Sequence, residues 1–214
     1  MKVNKKITPY NYLKQANKEN KYIVIHYVGA VSTAKNNADY YAREKLNASA
    51  HYFVDENSIW QSVEDNNVAW HCGTSGVYKH PDCRNLNSIG VEMCVKKDAN
   101  GTWYFEKNTI TNTVELVKYL MDKYNIPIDR VIRHYDVTGK NCPAPFVDKI
   151  KEWELFKSQL VIQELVTPND IVWELGQRGI VTDTQGMLNE MLANPNGRLY
   201  WLARKSLQYI RCKE

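Results

Sequence analysis

The chain has 214 residues, with 28 Lys+Arg against 24 Asp+Glu and a formal net charge of +4. Apolar residues make up 43% and charged residues 24%, ordinary globular values that exclude a disordered, collagen-like or coiled-coil chain and suit one full domain with a small second one. No basic run points to nucleic acid, and no apolar run reaches the roughly 18 residues of a membrane span. The opening MKVNKKITPYNYL has no apolar stretch of the kind a secretion signal needs, so a soluble product made in the cytoplasm is expected.

The first clear element is Tyr22–Val28, YIVIHYV, a β-branched and aromatic run that reads as a buried strand despite its histidine. Residues 37–46 (NADYYAREKL) read as a short helix. Residues 48–55 and 58–63, either side of Glu56-Asn57, read as a hairpin. A turn-rich stretch from His71 to Asn87 follows, with Gly73, Gly76 and Pro81. Residues 89–95, IGVEMCV, are apolar on both faces except at Glu92, which marks a central strand.

Ile110, Val114, Val117, Leu120, Met121 and Tyr124 recur at helical spacing, and Asn125-Ile126-Pro127 ends that helix. Residues 130–137 (RVIRHYDV) predict another strand, followed by a loop stiffened by Pro143 and Pro145 and an amphipathic helix over 146–160. Strands and helices intermix over this region, so the fold class is α/β, with domain boundaries expected at 1–160 and 165–214. The second part shows no strand alternation. It predicts three helices, 168–178 capped by Thr167, 184–193 capped by Asp183, and 197–210, forming a small three-helix bundle. The whole +4 excess falls in the first 160 residues.

Fourteen Tyr and six Trp against four Phe suit a sugar or peptide groove, and equally a half-buried surface. The five cysteines, Cys72, Cys83, Cys94, Cys142 and Cys212, are odd in number and irregularly spaced. Thiols or a metal ligand fit that pattern better than a disulfide framework, although Cys72 and Cys83 could close a loop.

Polar groups on buried strands mark where chemistry can reside, because an unpaired one costs about 1–3 kcal/mol. His26 lies inside an apolar strand, His134 near the end of another, and Cys142 in the stiffened loop. Each alone is readily a core residue, but two imidazoles and a thiolate together are three zinc ligands that leave an open position. Glu92 on its central strand needs a cation, a metal or a cleft. An ion pair with an arginine and a general acid–base role both satisfy it. Lys140 either stands beside that loop as a working cation or is simply an exposed lysine.

The ordered segments IVIHYVGA, SAHYFVDE, AWHCG, SIGVEMC and RHYDVTGKNCPAPF, spanning about Tyr22 to Leu160, resemble the zinc-dependent type 2 N-acetylmuramoyl-L-alanine amidases. That family includes phage endolysins and shares its fold with peptidoglycan-recognition proteins. The resemblance implies a mixed β-sheet flanked by helices, with a groove holding Zn2+ on His26, His134 and Cys142. It further implies Glu92 as general base and Lys140 as stabiliser of the tetrahedral oxyanion. Family members often carry a catalytic tyrosine where this chain has His51, which leaves His51 to bind substrate or to pack. Trp70 and His71 are expected to line the groove for glycan or stem peptide.

The expected function is cleavage of the amide between N-acetylmuramic acid and L-alanine in bacterial peptidoglycan by an endolysin that acts on the wall after release. The alternatives are a non-catalytic recognition module and a muropeptide-recycling amidase. The C-terminal bundle is read as a module for a cell-wall polymer, against a purely structural or dimerising role.

Overall fold

The computed structural model describes residues 1–160, 168–194, 197, 199, 202 and 203. It divides into two compact units, Met1–Leu160 and Val161–Glu214. The elements of the first are β1 (Val3–Lys5), β2 (Tyr22–Val31), α1 (Ala34–Tyr41), β3 (Tyr52–Val54), β4 (Ile59–Gln61), β5 (Ser88–Lys97), β6 (Trp103–Tyr104), α2 (Lys107–Tyr124), β7 (Val131–Arg133), α3 (His134–Thr138), α4 (Ala144–Val147) and α5 (Ile150–Leu160). The described helices of the second are α6 (Pro168–Gln177) and α7 (Thr184–Ala193).

The strands form one mixed sheet in the order β1-β4-β3-β5-β2-β7, with β6 added antiparallel to β5. Strand β5 is central, parallel to β2 on one side and to β3 on the other. Because side chains alternate along a strand, the sequence of β2 and β5 divides cleanly between two faces. Ile23, Ile25, Ile89, Val91, Met93 and Val95 enter the main core with Leu116, Val117 and Leu120 of α2 and Phe156 and Leu160 of α5. The intervening residues, Val24 and His26 on β2 with Ser88, Gly90 and Glu92 on β5, point to the opposite face. In that register His26 stands directly beside Glu92.

Asp65 ties the first unit together away from that face. It is 6% exposed; Oδ1 accepts from Tyr52 Oη at 2.6 Å and Gln61 Nε2 at 3.1 Å, and Oδ2 from Lys123 Nζ at 2.9 Å and Tyr124 Oη at 2.7 Å. A buried carboxylate is tolerated here because each oxygen has two donors.

Three elements depart from the sequence expectation. Helix α1 covers 34–41 rather than 37–46, since Thr33 caps it and Asp55 Oδ2 takes the Ala34 amide at 2.7 Å. The strand expected over 130–137 stops at Arg133. Asp136 folds back to accept the Arg133 backbone amide and guanidinium, both at 2.8 Å, and converts the next residues into α3, which Gly139 ends at φ +84°. The helix expected over 146–160 is split at 148–149 into α4 and α5.

In the second unit Ile171, Val172 and Leu175 of α6 pack with Met191 of α7 and with Ala203. Asp183 caps α7 through the Gly186 amide at 2.8 Å, as its sequence predicts. Gly179, at φ +67°, follows α6. Thr167, Cys212 and most of the expected third helix, including Tyr200 and Trp201, lie outside the described residues.

Candidate metal and catalytic site

Three elements meet on the polar face of the sheet. His26 comes from β2. Strand β7 pairs with β2 up to Ile25 and Arg133, so His26 and His134 are the next residues of adjacent chain segments. Cys142 lies between α3 and α4, where the Tyr135 amide donates to its carbonyl at 2.8 Å. One ligand atom from each of the three lies within 4.8 Å of the others. Cys142 Sγ is 3.7 Å from His26 Nδ1, and the two imidazole centroids are 4.8 Å apart.

The donor chemistry of this cluster fits a cation. Both ring nitrogens of His134 are buried with no hydrogen-bond partner, a cost of about 1–3 kcal/mol per group if nothing else answers them. Burial holds His26 well below the usual imidazole range, with His71 and His134 adding to the effect. Burial and then Lys140 bring His134 down to about 4. Two neutral imidazoles beside a thiol form a nitrogen–sulfur donor set for a borderline-soft divalent metal. Burial, reinforced by Glu92, pushes the Cys142 thiol up to about 12, so a metal must displace its proton.

Glu92 is beside the cluster, with Oε1 4.0 Å from His26 Nδ1. Its Oε2 is buried and unpartnered. Burial pushes its carboxyl up to about 8, with Lys140 pulling the other way. Among the described residues no lysine or arginine lies within ion-pair distance of Glu92, which removes the structural ion pair as its explanation. A carboxyl tuned upward at a metal-type cluster can exchange a proton near neutral pH.

A groove of about 790 Å³ opens over His134 and is lined by Trp70, His71, Asn85, Thr138 and Lys140 among others. Lys140 is exposed, so its ammonium is available to a bound anion or oxyanion. Trp70 and His71 both lie on the wall of this groove.

His51 does not. It is fully buried; the Gly90 amide donates to Nδ1 at 3.0 Å, and Nε2 faces Asn67 O at 3.1 Å. With both nitrogens engaged by the scaffold, it presents no atom to the groove. Lys18 Nζ also lies 3.1 Å from that Nε2 and donates to Ser88 O at 2.8 Å. Burial brings this lysine down to about 7. Nothing in the local sequence NKEN distinguishes Lys18 from a surface lysine, so its interior role was not readable. Cys72 and Cys83 are buried free thiols that share a cluster with Tyr22 and Val24, and close no loop.

The family model for N-acetylmuramoyl-L-alanine amidases matches residues 16–145. Over 149 residues the chain is 38% identical to a probable N-acetylmuramoyl-L-alanine amidase of Bacillus licheniformis. Over 150 residues it is 34% identical to the N-acetylmuramoyl-L-alanine amidase BlyA of Bacillus subtilis (strain 168). Each match takes in 64% of this chain and 40% of the relative, so the chain spans well under half the length of these relatives. Among solved structures, PlyL superposes with a TM-score of 0.60 and 28% identity over 75% of this chain and 97% of that one. The catalytic domain of XlyA superposes with a TM-score of 0.61 and 26% identity over 75% and 99%.

Proposed function

The chain belongs to the N-acetylmuramoyl-L-alanine amidase family, and from that premise we propose that it is a zinc hydrolase cleaving the amide between N-acetylmuramic acid and L-alanine in bacterial peptidoglycan. The observation that carries the zinc reading is the buried His26–His134–Cys142 cluster, in which both nitrogens of His134 have no protein partner. Zinc held there supplies a Lewis acid that activates water and polarises the scissile carbonyl.

The remaining work falls to the chain's own residues. Glu92, at the edge of the cluster and about one-fifth exposed, accepts the proton of the attacking water and returns it to the departing L-alanine nitrogen. Lys140, exposed on the groove wall, places positive charge where the carbonyl oxygen becomes anionic. Trp70 offers a flat apolar face to the glycan or stem peptide. The recognition-module alternative is disfavoured because all three ligands and the base are present together.

Digestion of purified walls tests the reading. New L-alanine N-termini without new reducing ends, abolished by a chelator and restored by zinc, are expected; reducing ends instead would make the enzyme a glycosidase. Soluble anhydro-muropeptides hydrolysed in place of intact walls would favour the recycling role over that of an endolysin acting on the wall after release.

The protonated Cys142 also makes zinc uptake pH-dependent. Its thiol titrates far above neutrality in the metal-free chain, so at least one proton leaves on binding and affinity rises about tenfold per pH unit between roughly pH 6.5 and 8. Calorimetry in buffers of different ionisation enthalpy measures that proton. A pH-independent affinity would remove Cys142 from the ligand set.

The second unit is read as a module for a cell-wall polymer. Trp173 of α6 is 67% exposed and Ile180 beyond it 52% exposed, an aromatic and apolar surface of the kind that binds polymers. Among the described residues no helix is long and apolar enough to cross a membrane. Trp173→Ala is expected to lower pelleting of the full chain with walls while leaving hydrolysis of soluble muropeptides unchanged. Undiminished pelleting would favour a structural or dimerising role.

A further inference from the structure

His71 lines the groove, but its ring also faces inward. Its Nδ1 is 3.0 Å from His26 Nε2, and the two rings meet edge-on with centroids 5.1 Å apart. At its other end, His71 Nε2 is 3.2 Å from Ser88 Oγ. Ser88 Oγ lies 2.6 Å from the carbonyl of Arg84, an oxygen that can only accept. We propose that His71 is a positioning residue which, through Ser88, fixes the tautomer of His26 so that its Nδ1 lone pair faces His134 and Cys142.

One chain of donors and acceptors links Arg84, Ser88, His71 and His26. A serine has one proton, and the short contact to the Arg84 carbonyl takes it. Ser88 Oγ must then accept from His71, which puts the His71 proton on Nε2 and leaves Nδ1 as an acceptor. His26 therefore carries its proton on Nε2 and donates it to His71. Its Nδ1 is left bare, 3.7 Å from Cys142 Sγ. The opposite tautomer would aim an N–H into the ligand cluster and leave two acceptors facing each other at 3.0 Å.

The fold is built to allow this contact. His71 belongs to a loop held by Asn85, whose Oδ1 accepts from the amides of His71 at 3.1 Å and Cys72 at 2.8 Å. The ring lies directly over Gly90 of β5, where a Cβ would come within 2.5 Å of His71 Cγ. Only glycine permits that approach to the backbone. Ser88 and Gly90 thus occupy the same strand face as Glu92, two residues apart, and serve the metal site without touching it.

This proposal rests on the zinc reading, but part of its test does not. In metal-free protein carrying ¹⁵N-histidine, two-bond ¹H–¹⁵N correlations are expected to show His26 and His71 both protonated at Nε2. Chelator competition is expected to show zinc affinity falling about 10–100-fold in His71→Phe, the usual cost of losing a ligand's outer partner. His71→Asn, whose side-chain oxygen replaces the Nδ1 acceptor, should restore most of it. A wild-type spectrum with the His26 proton on Nδ1, or full zinc affinity in His71→Phe, would overturn the proposal. If His71→Phe does not fold, Ser88→Ala decides. Mixed tautomers at His71 and His26 support the relay, and a single unchanged Nε2–H form at both overturns it. A wild-type chain that binds no zinc would sink the metal reading, while the tautomer spectrum would still decide this one.

Discussion

Glu92→Gln is expected to bind zinc as wild type does and to lose about 10²–10⁴ in turnover, the usual contribution of a positioned general base. At 25 °C that is about 3–5 kcal/mol of barrier. Glutamine keeps the shape of the side chain on β5 but cannot accept the water's proton. The wild-type rate should rise with pH on its acid side, because Glu92 must be ionised to act, and the residual rate of the variant should lack that limb. The metal-free protein offers a second reading of the same group. Burial raises the Glu92 carboxyl to about 8 from an ordinary 4.5, so between those pH values the folded chain holds a proton that the unfolded chain has released. Stability contributed by this group is present below about pH 4.5 and is lost as pH rises through 8. Metal-free Glu92→Gln should therefore be the more stable of the two at pH 8 and differ little at pH 4.5. Turnover near wild type in Glu92→Gln would remove Glu92 from the mechanism.

His134→Ala has the larger effect. It removes one of three ligands, so zinc affinity should fall by more than the about 10–100-fold expected for an outer partner, and turnover should fall to background. Its effect on the metal-free fold should be small by comparison. Deleting the ring opens a cavity, which costs stability, but it also removes two buried nitrogens that have no partner. The two terms oppose each other, and metal-free unfolding midpoints of variant and wild type are expected to lie close together. The wild type alone should gain stability on adding zinc, by the linkage of a ligand that binds only the folded state. Retained zinc affinity in His134→Ala would dismantle the proposed ligand set.

The contrast between His134 and His51 shows how far residue type can be read. Both are histidines on segments that read as strands, and each is followed by a tyrosine. His134 is left with two unanswered nitrogens because β7 ends beside β2 and the Arg133–Asp136 clasp turns the chain there. His51 has both nitrogens occupied by Gly90 and Asn67 because β3 packs beside β5. The partners of His51 lie 16 and 39 residues away, and His134 is brought beside His26 only by the pairing of β7 with β2. His71 is a third case: a groove histidine by its motif, and a partner of His26 only by tertiary contact.

Sequence alone determined the fold class and the order of the principal strands and helices, and it singled out the candidate residues of the site. A period of two in β2 and β5 assigns their faces, and a carboxylate or imidazole on an otherwise apolar strand is conspicuous because burying it unpaired is costly. The segments around these residues carried the family resemblance. Tertiary structure decided which polar groups found partners, since those partners lie 45 residues away for His26 and His71 and 116 for His26 and Cys142. Local propensity cannot register contacts at such separations. They exist only once parallel strands, each entered from a distant part of the chain, have set His26, Glu92 and the segment following β7 side by side.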